Sequence, residues 1–117
     1  MSETRRIVET YFHAWTTHDT AAAYAVLADD LAFSGPSASY ATAAAFKPAL
    51  EGFAAMTRGA RIVELVVDGD RAAMLYDCDL PEPVGTLRIA SFFRVANGKI
   101  AAYDTRFDAT NFARLRG

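Results

Sequence analysis

The stretch Ser91-Phe92-Phe93-Arg94-Val95-Ala96-Asn97-Gly98-Lys99-Ile100-Ala101-Ala102-Tyr103-Asp104-Thr105 decides the fold. Asn97-Gly98 is the strongest hairpin signal in the chain, because both residues tolerate the positive φ that a tight two-residue turn demands. Around it, residues alternate in character with the period of two that marks strands. Val84–Val95 and Lys99–Phe107 are therefore expected as an antiparallel pair. Moving outward, Asp68-Gly69-Asp70 is a second turn signal, joining strands over Arg61–Val67 and Arg71–Leu80. Pro81-Glu82-Pro83 separates that hairpin from the first.

Upstream of Arg61 the period changes to that of helices. Ile7, Val8, Tyr11, Phe12 and Trp15 share one face of a helix over Thr4–Thr17. Asp19 or Thr20 caps a second, Ala21–Ala28. Asp29-Asp30 then breaks the pattern, and Leu31–Ser34 reads as a short strand ending at Gly35-Pro36. A third helical stretch covers Thr42–Met56, with Phe46, Ala49, Leu50, Phe53 and Met56 on one side. Pro48 is costly in a helix interior, so the regular helix is expected to begin near Phe46 or to kink there. The tail, Ala109 to Arg116, is expected as a short closing helix. Three helices followed by a meander predict an α+β domain, with the helices packed on one face of an antiparallel sheet.

With 117 residues, 52% of them hydrophobic, the chain fits one globular domain, residues 1–117. Twelve Lys and Arg against fourteen Asp and Glu give a net charge of −2. The basic residues are scattered, so no stripe suited to nucleic-acid phosphates is visible. Cys78 is the only cysteine, which excludes an intrachain disulfide and a cysteine-rich zinc site. His13 and His18 do not have the one-turn spacing of a metal pair. No apolar run approaches a membrane span and no secretory signal is recognised, so a cytoplasmic protein is expected, with no metal and no cofactor.

The order of elements resembles the nuclear transport factor 2-like superfamily and its SnoaL-like members. The residues that carry this are Tyr11 and Trp15 in the first helix, and Leu27-Ala28-Asp29-Asp30 before the first strand. Leu75-Tyr76-Asp77, Phe93-Arg94-Val95 before Asn97-Gly98-Lys99-Ile100, and Phe107-Asp108 complete the pattern. The resemblance implies a cone in which a strongly bent sheet wraps a helix around an apolar cavity. It also implies a homodimer through the outer sheet face. That fold hosts ketosteroid isomerases, limonene epoxide hydrolases, polyketide cyclases and proteins without a reaction, so it does not fix function.

Carried over residue by residue, the resemblance to ketosteroid isomerase places the oxyanion tyrosine on Tyr11. Its general base falls on Gly35 and its second oxyanion donor on Ser91. A glycine cannot carry a proton between carbons. The resemblance to limonene epoxide hydrolase puts one aspartate on Asp77, while the positions of its arginine and second aspartate hold Leu75 and Thr105. The single acidic residue of SnoaL-like cyclases falls on Asp77 or Asp104.

Asp77 and Asp79 share one strand face with Ala73 and Leu75, while Met74, Tyr76, Cys78 and Leu80 share the other. If the Asp77 face looks into the cone, Asp77 is a carboxylate in an apolar wall, suited to acid–base work; if outward, it is solvated or interfacial. Tyr103, Thr105 and Phe107 suit a ligand wall, and Asp104, Arg106 and Asp108 the exterior. Tyr11 and Trp15, one helical turn apart, either line the cavity or pack as ordinary core. The candidate set is thus Asp77 and Tyr11 for catalysis, and Trp15, Phe53, Ser91, Tyr103 and Thr105 for binding. The expected function is to hold a small, mostly apolar molecule; the alternative is a cofactor-free isomerase, lyase or hydrolase working by proton transfer.

Overall fold

The computed structural model describes residues 2–112. There are three helices, α1 (Glu3–Thr16), α2 (Thr20–Ala25) and α3 (Ala43–Met56), the last reached only after two strands. Around and after α3 run six strands: β1 (Leu27–Ser34), β2 (Ser39–Tyr40), β3 (Gly59–Asp68), β4 (Arg71–Asp79), β5 (Thr86–Ala96) and β6 (Lys99–Arg106). They form one sheet in the order β2-β1-β6-β5-β4-β3. The mixed α+β architecture is the one expected.

Each helix begins on a side-chain cap that satisfies an otherwise orphaned N–H. Ser2 accepts from the Arg5 amide, Asp19 from Ala22 and Thr42 from Ala45. At the end of α1, His18 adopts φ 69°, turning the chain into α2. The third helix spans nearly the whole expected stretch, beginning at Ala43 rather than near Phe46 and carrying Pro48 inside it. The Thr42 cap fixes the earlier start. Pro48 has no N–H to offer the Ala44 carbonyl, but Ala44 is exposed, so water can take that place. Of the closing helix expected over Ala109–Arg116, the second half, residues 113–116, lies outside the described residues.

Both hairpins form at the turns read from sequence. Asp68 pairs with Arg71 across Gly69-Asp70, and Ala96 with Lys99 across Asn97-Gly98. Asn97 (φ 54°) and Gly98 (φ 77°) are both left-handed, as this turn requires.

The sheet departs from the expected antiparallel meander at one edge. β1 pairs parallel with β6, and β2 folds back antiparallel on β1. β1 is also longer than the four-residue strand expected. Asp29-Asp30 does not end it, because the register slips between Leu27 and Ala32. That irregularity leaves both aspartates in water while Leu27 and Leu31 are buried. Further slips occur between Ile62 and Glu64 and between Arg94 and Val95. Bulges of this kind bend strands, and three of them curl the sheet around the helices.

The core lies on the concave side. From β4 it takes Ala72, Met74, Tyr76 and Cys78, and from β5 Leu87, Ile89, Ser91, Phe93 and Val95. The same alternation sends Asp77 and Arg88 to the convex side. Among the described residues no helix is long and apolar enough to cross a membrane.

Candidate functional site

Between the helices and the concave sheet face lies a cavity of about 390 Å³. α1 contributes Tyr11 and Trp15, and α3 contributes Phe46, Leu50 and Phe53. The floor is Tyr76, Ile89, Tyr103 and Thr105, while the Gly35–Ala38 loop, Phe107 and Phe112 complete the wall. The aromatic rings brace one another. Tyr11 meets Tyr103 edge-on at 5.3 Å and Trp15 meets Phe53 at 5.8 Å, while Phe33 stacks on Phe46 at 4.3 Å. Such contacts fix ring orientations and hold the cavity's shape.

Five of the seven candidate residues therefore come together on one cavity: Tyr11, Trp15, Phe53, Tyr103 and Thr105. Ser91 stands just behind the wall, wholly buried. Its Oγ is 2.9 Å from Thr105 Oγ1 and 2.9 Å from the Tyr76 hydroxyl. Three neighbouring strands in register build this chain, since Ser91 pairs with Thr105 and Tyr76 lies one strand over, opposite Ile89.

Asp77 does not join them. It projects from the convex face and pairs with Arg88 through two hydrogen bonds, from Nε at 2.8 Å and Nη2 at 3.0 Å. Donation from Arg88 holds its carboxyl below the usual aspartate range, the opposite of the raised value a carboxylate in the cone would show. The reason is the packing choice in β4: the face carrying Met74, Tyr76 and Cys78 is the more apolar, so it turns to the helices. Asp79 is likewise outside, bonded to Arg61 and Thr86. Asp104 faces outward beside Arg106, at 3.1 Å.

Alternation put Tyr76, which the candidate set omitted, on the face opposite Asp77, and the packing of that face against the helices brings it to the cavity. Phe33, Tyr40 and Phe46 were harder to find. They meet only because the β1–β2 turn folds over the start of α3, a long-range arrangement with no local signature.

Burial raises the Tyr11 and Tyr76 phenols well above the ordinary tyrosine range, with the neighbouring Tyr103 adding to the effect. Burial raises Tyr103 as well, against the opposing pull of surrounding hydroxyls. All three are neutral donors at physiological pH. Among the described residues, no Asp, Glu, His, Lys or Arg lines the cavity. Nor do three or more His, Cys, Asp or Glu gather in a geometry that could hold a metal ion. Gly35 is in the wall, and a Cβ there would sit 3.1 Å from the Phe33 ring. Phe33 thus crowds the point from which a side chain at position 35 would emerge. Cys78 is buried, and loss of solvent pushes its thiol up to about 12, as suits a small apolar core residue.

A bent sheet closed by helices over an apolar, hydroxyl-bearing cavity defines a cone-shaped α+β domain of the nuclear transport factor 2-like class. The family model of the SnoaL-like domain matches residues 8–103, and the chain belongs to that family. A search of curated proteins finds no significant sequence match. Among solved structures, a protein from Kribbella flavida is similar at 26% identity, TM-score 0.89, covering 95% of this chain and 91% of that one. An LEH-like epoxide hydrolase from M. tuberculosis is similar at 21% identity, TM-score 0.76, with 98% of this chain and 91% of that one covered. A de novo designed protein with a curved β-sheet reaches TM-score 0.84 at 14% identity, with 99% and 95% covered. At such identities the last two likenesses show the fold alone.

Proposed function

We propose that the protein binds a small, mostly apolar and uncharged molecule in the cone. The observation that supports this most is the composition of the cavity wall: aromatic and aliphatic side chains with a few convergent hydroxyls and, among the described residues, no charged group. Small-molecule sites commonly have this make-up, with apolar area supplying affinity and a few polar groups fixing orientation. Proton-transfer catalysis, the alternative raised by the sequence, needs a base beside the ligand. With Asp77 outside and Gly35 in the wall, no carboxylate among the described residues serves that role. Native mass spectrometry of freshly purified protein tests the reading, with a retained mass removed by organic extraction as the expected result. Failure to retain or take up any apolar probe would overturn it.

The convex sheet face supports a second element of the proposal, a homodimer. Val66 pairs with Ala73, and Ala73 with Phe92, placing a row of apolar side chains across three strands. Phe92 is 52% exposed and Val66 54%. Leu75 and Ala90 extend the row, and the pairs Asp77–Arg88 and Arg61–Asp79 border it. An apolar centre with a charged rim is the usual make-up of an interface core.

A further inference from the structure

Gly52 is a helix-interior glycine that the fold does not call for. It lies in the penultimate turn of α3, where glycine is less favourable than alanine because it loses more conformational freedom on ordering. Two needs explain a glycine inside a helix: a neighbouring chain too close for a side chain, or a positive φ. Neither holds here. Gly52 has helical backbone, and a Cβ built on it meets nothing within 4 Å.

The position nevertheless belongs to the cavity. Gly52 lines it with Ala49, Phe53 and Met56, but those three are half-buried and Gly52 is exposed. Residues 36–38 are the other lining residues that are exposed. A residue that both lines the cavity and meets solvent stands at its rim. The hydroxyls of Tyr11, Tyr76, Tyr103 and Thr105 are at the other extreme, on lining residues that are buried. The cavity is thus polar in its depth and mostly apolar towards its rim, where Phe53, Phe107 and Phe112 are half-buried.

Building on the cavity as a small-molecule site, we propose that Gly52 sets the length of the ligand, an elongated molecule whose apolar tail leaves the cavity over the bare backbone at this position. An apolar tail at this rim removes its own surface and that of the phenylalanines from water. A polar end there would lose hydration against hydrocarbon instead. With a side chain at position 52 the same space is filled by protein, and a bound tail has to stop short. Gly52 is therefore a specificity-determining residue: it leaves short ligands unaffected and admits long ones.

Trp15 is the only tryptophan and lines the cavity, so its emission reports occupancy. Titration with 1-alkanols from 1-pentanol to 1-dodecanol tests the proposal. In the unmodified protein, affinity is expected to rise about fourfold per methylene, the worth of burying one CH2, and to level off once the tail has passed the rim. In Gly52→Leu the levelling is expected at a shorter chain, so that the longest alkanols lose about tenfold while 1-pentanol binds as before. Gly52→Ala should change binding less, in the same direction, and unfold at a higher urea concentration. Should the leucine variant lose the short alkanols too, the alanine variant decides. A levelling point that the deciding variant leaves in place, or moves to longer chains, overturns the proposal and leaves the cavity reading standing. So does a lower urea midpoint for Gly52→Ala, which would mean that the fold itself needs the glycine. If no alkanol binds the unmodified protein, the cavity reading has failed and the role of Gly52 falls with it.

Discussion

Asp77 and Arg88 are directly opposed residues on β4 and β5, and their side chains meet in a two-pronged pair on the convex face of the sheet. This one relationship moves the only acidic candidate out of the cavity and makes it part of the outer surface. It also has a pH signature. The folded carboxyl titrates lower than the unfolded one, so its contribution to stability is present above the unfolded pKa and is lost as pH falls through the folded value. Asp77→Asn is expected to lower the urea midpoint modestly at pH 7, and the difference from the parent should vanish in acid. A midpoint difference that grows as pH falls would contradict the assigned pairing.

Ketosteroid isomerisation should be absent. The cavity offers Tyr11 as a neutral donor, but Gly35 supplies no base and Ser91 is a weaker oxyanion donor than a protonated acid. An ultraviolet assay with a β,γ-unsaturated ketosteroid is expected to match the uncatalysed background. Robust turnover abolished by Tyr11→Phe would show that another residue carries the proton.

Phe92 reports on the proposed dimer. Sedimentation equilibrium at micromolar concentration is expected to show twice the chain mass. Phe92→Lys should shift the equilibrium to monomer by placing like charges against each other across a two-fold interface. A parent protein that sediments only as a monomer would remove the dimer.

Leu31 reports on how β1 enters the core. Its side chain is fully buried although it follows two exposed aspartates. Leu31→Ala should therefore cost about 2–5 kcal/mol in chemical denaturation, as for other leucines deleted from packed cores. A cost under about 0.5 kcal/mol, typical of surface sites, would mean that the strand does not bury this residue.

The turns and the cap of α2 were legible in the sequence because their physics is local. Asn97-Gly98 and Gly69-Asp70 specify backbone angles within two residues, and Asp19 bonds an amide three positions away. Alternation along β4 and β5 likewise separated Asp77 from Tyr76 and Phe92 from Phe93. It could not say which face of β4 looks inward, since that depends on where α1 and α3 pack. Only the tertiary structure decided this, because burying Met74, Tyr76 and Cys78 removes more apolar surface from water than burying Ala73 and Leu75 with two carboxylates. The parallel pairing of β1 with β6 has the same origin. It joins segments far apart in the chain, and Leu27 and Leu31 favour it by entering the common core rather than through any signal of their own. The hydroxyl chain from Tyr76 through Ser91 to Thr105 follows from the register of three strands, so it exists only once the sheet has formed.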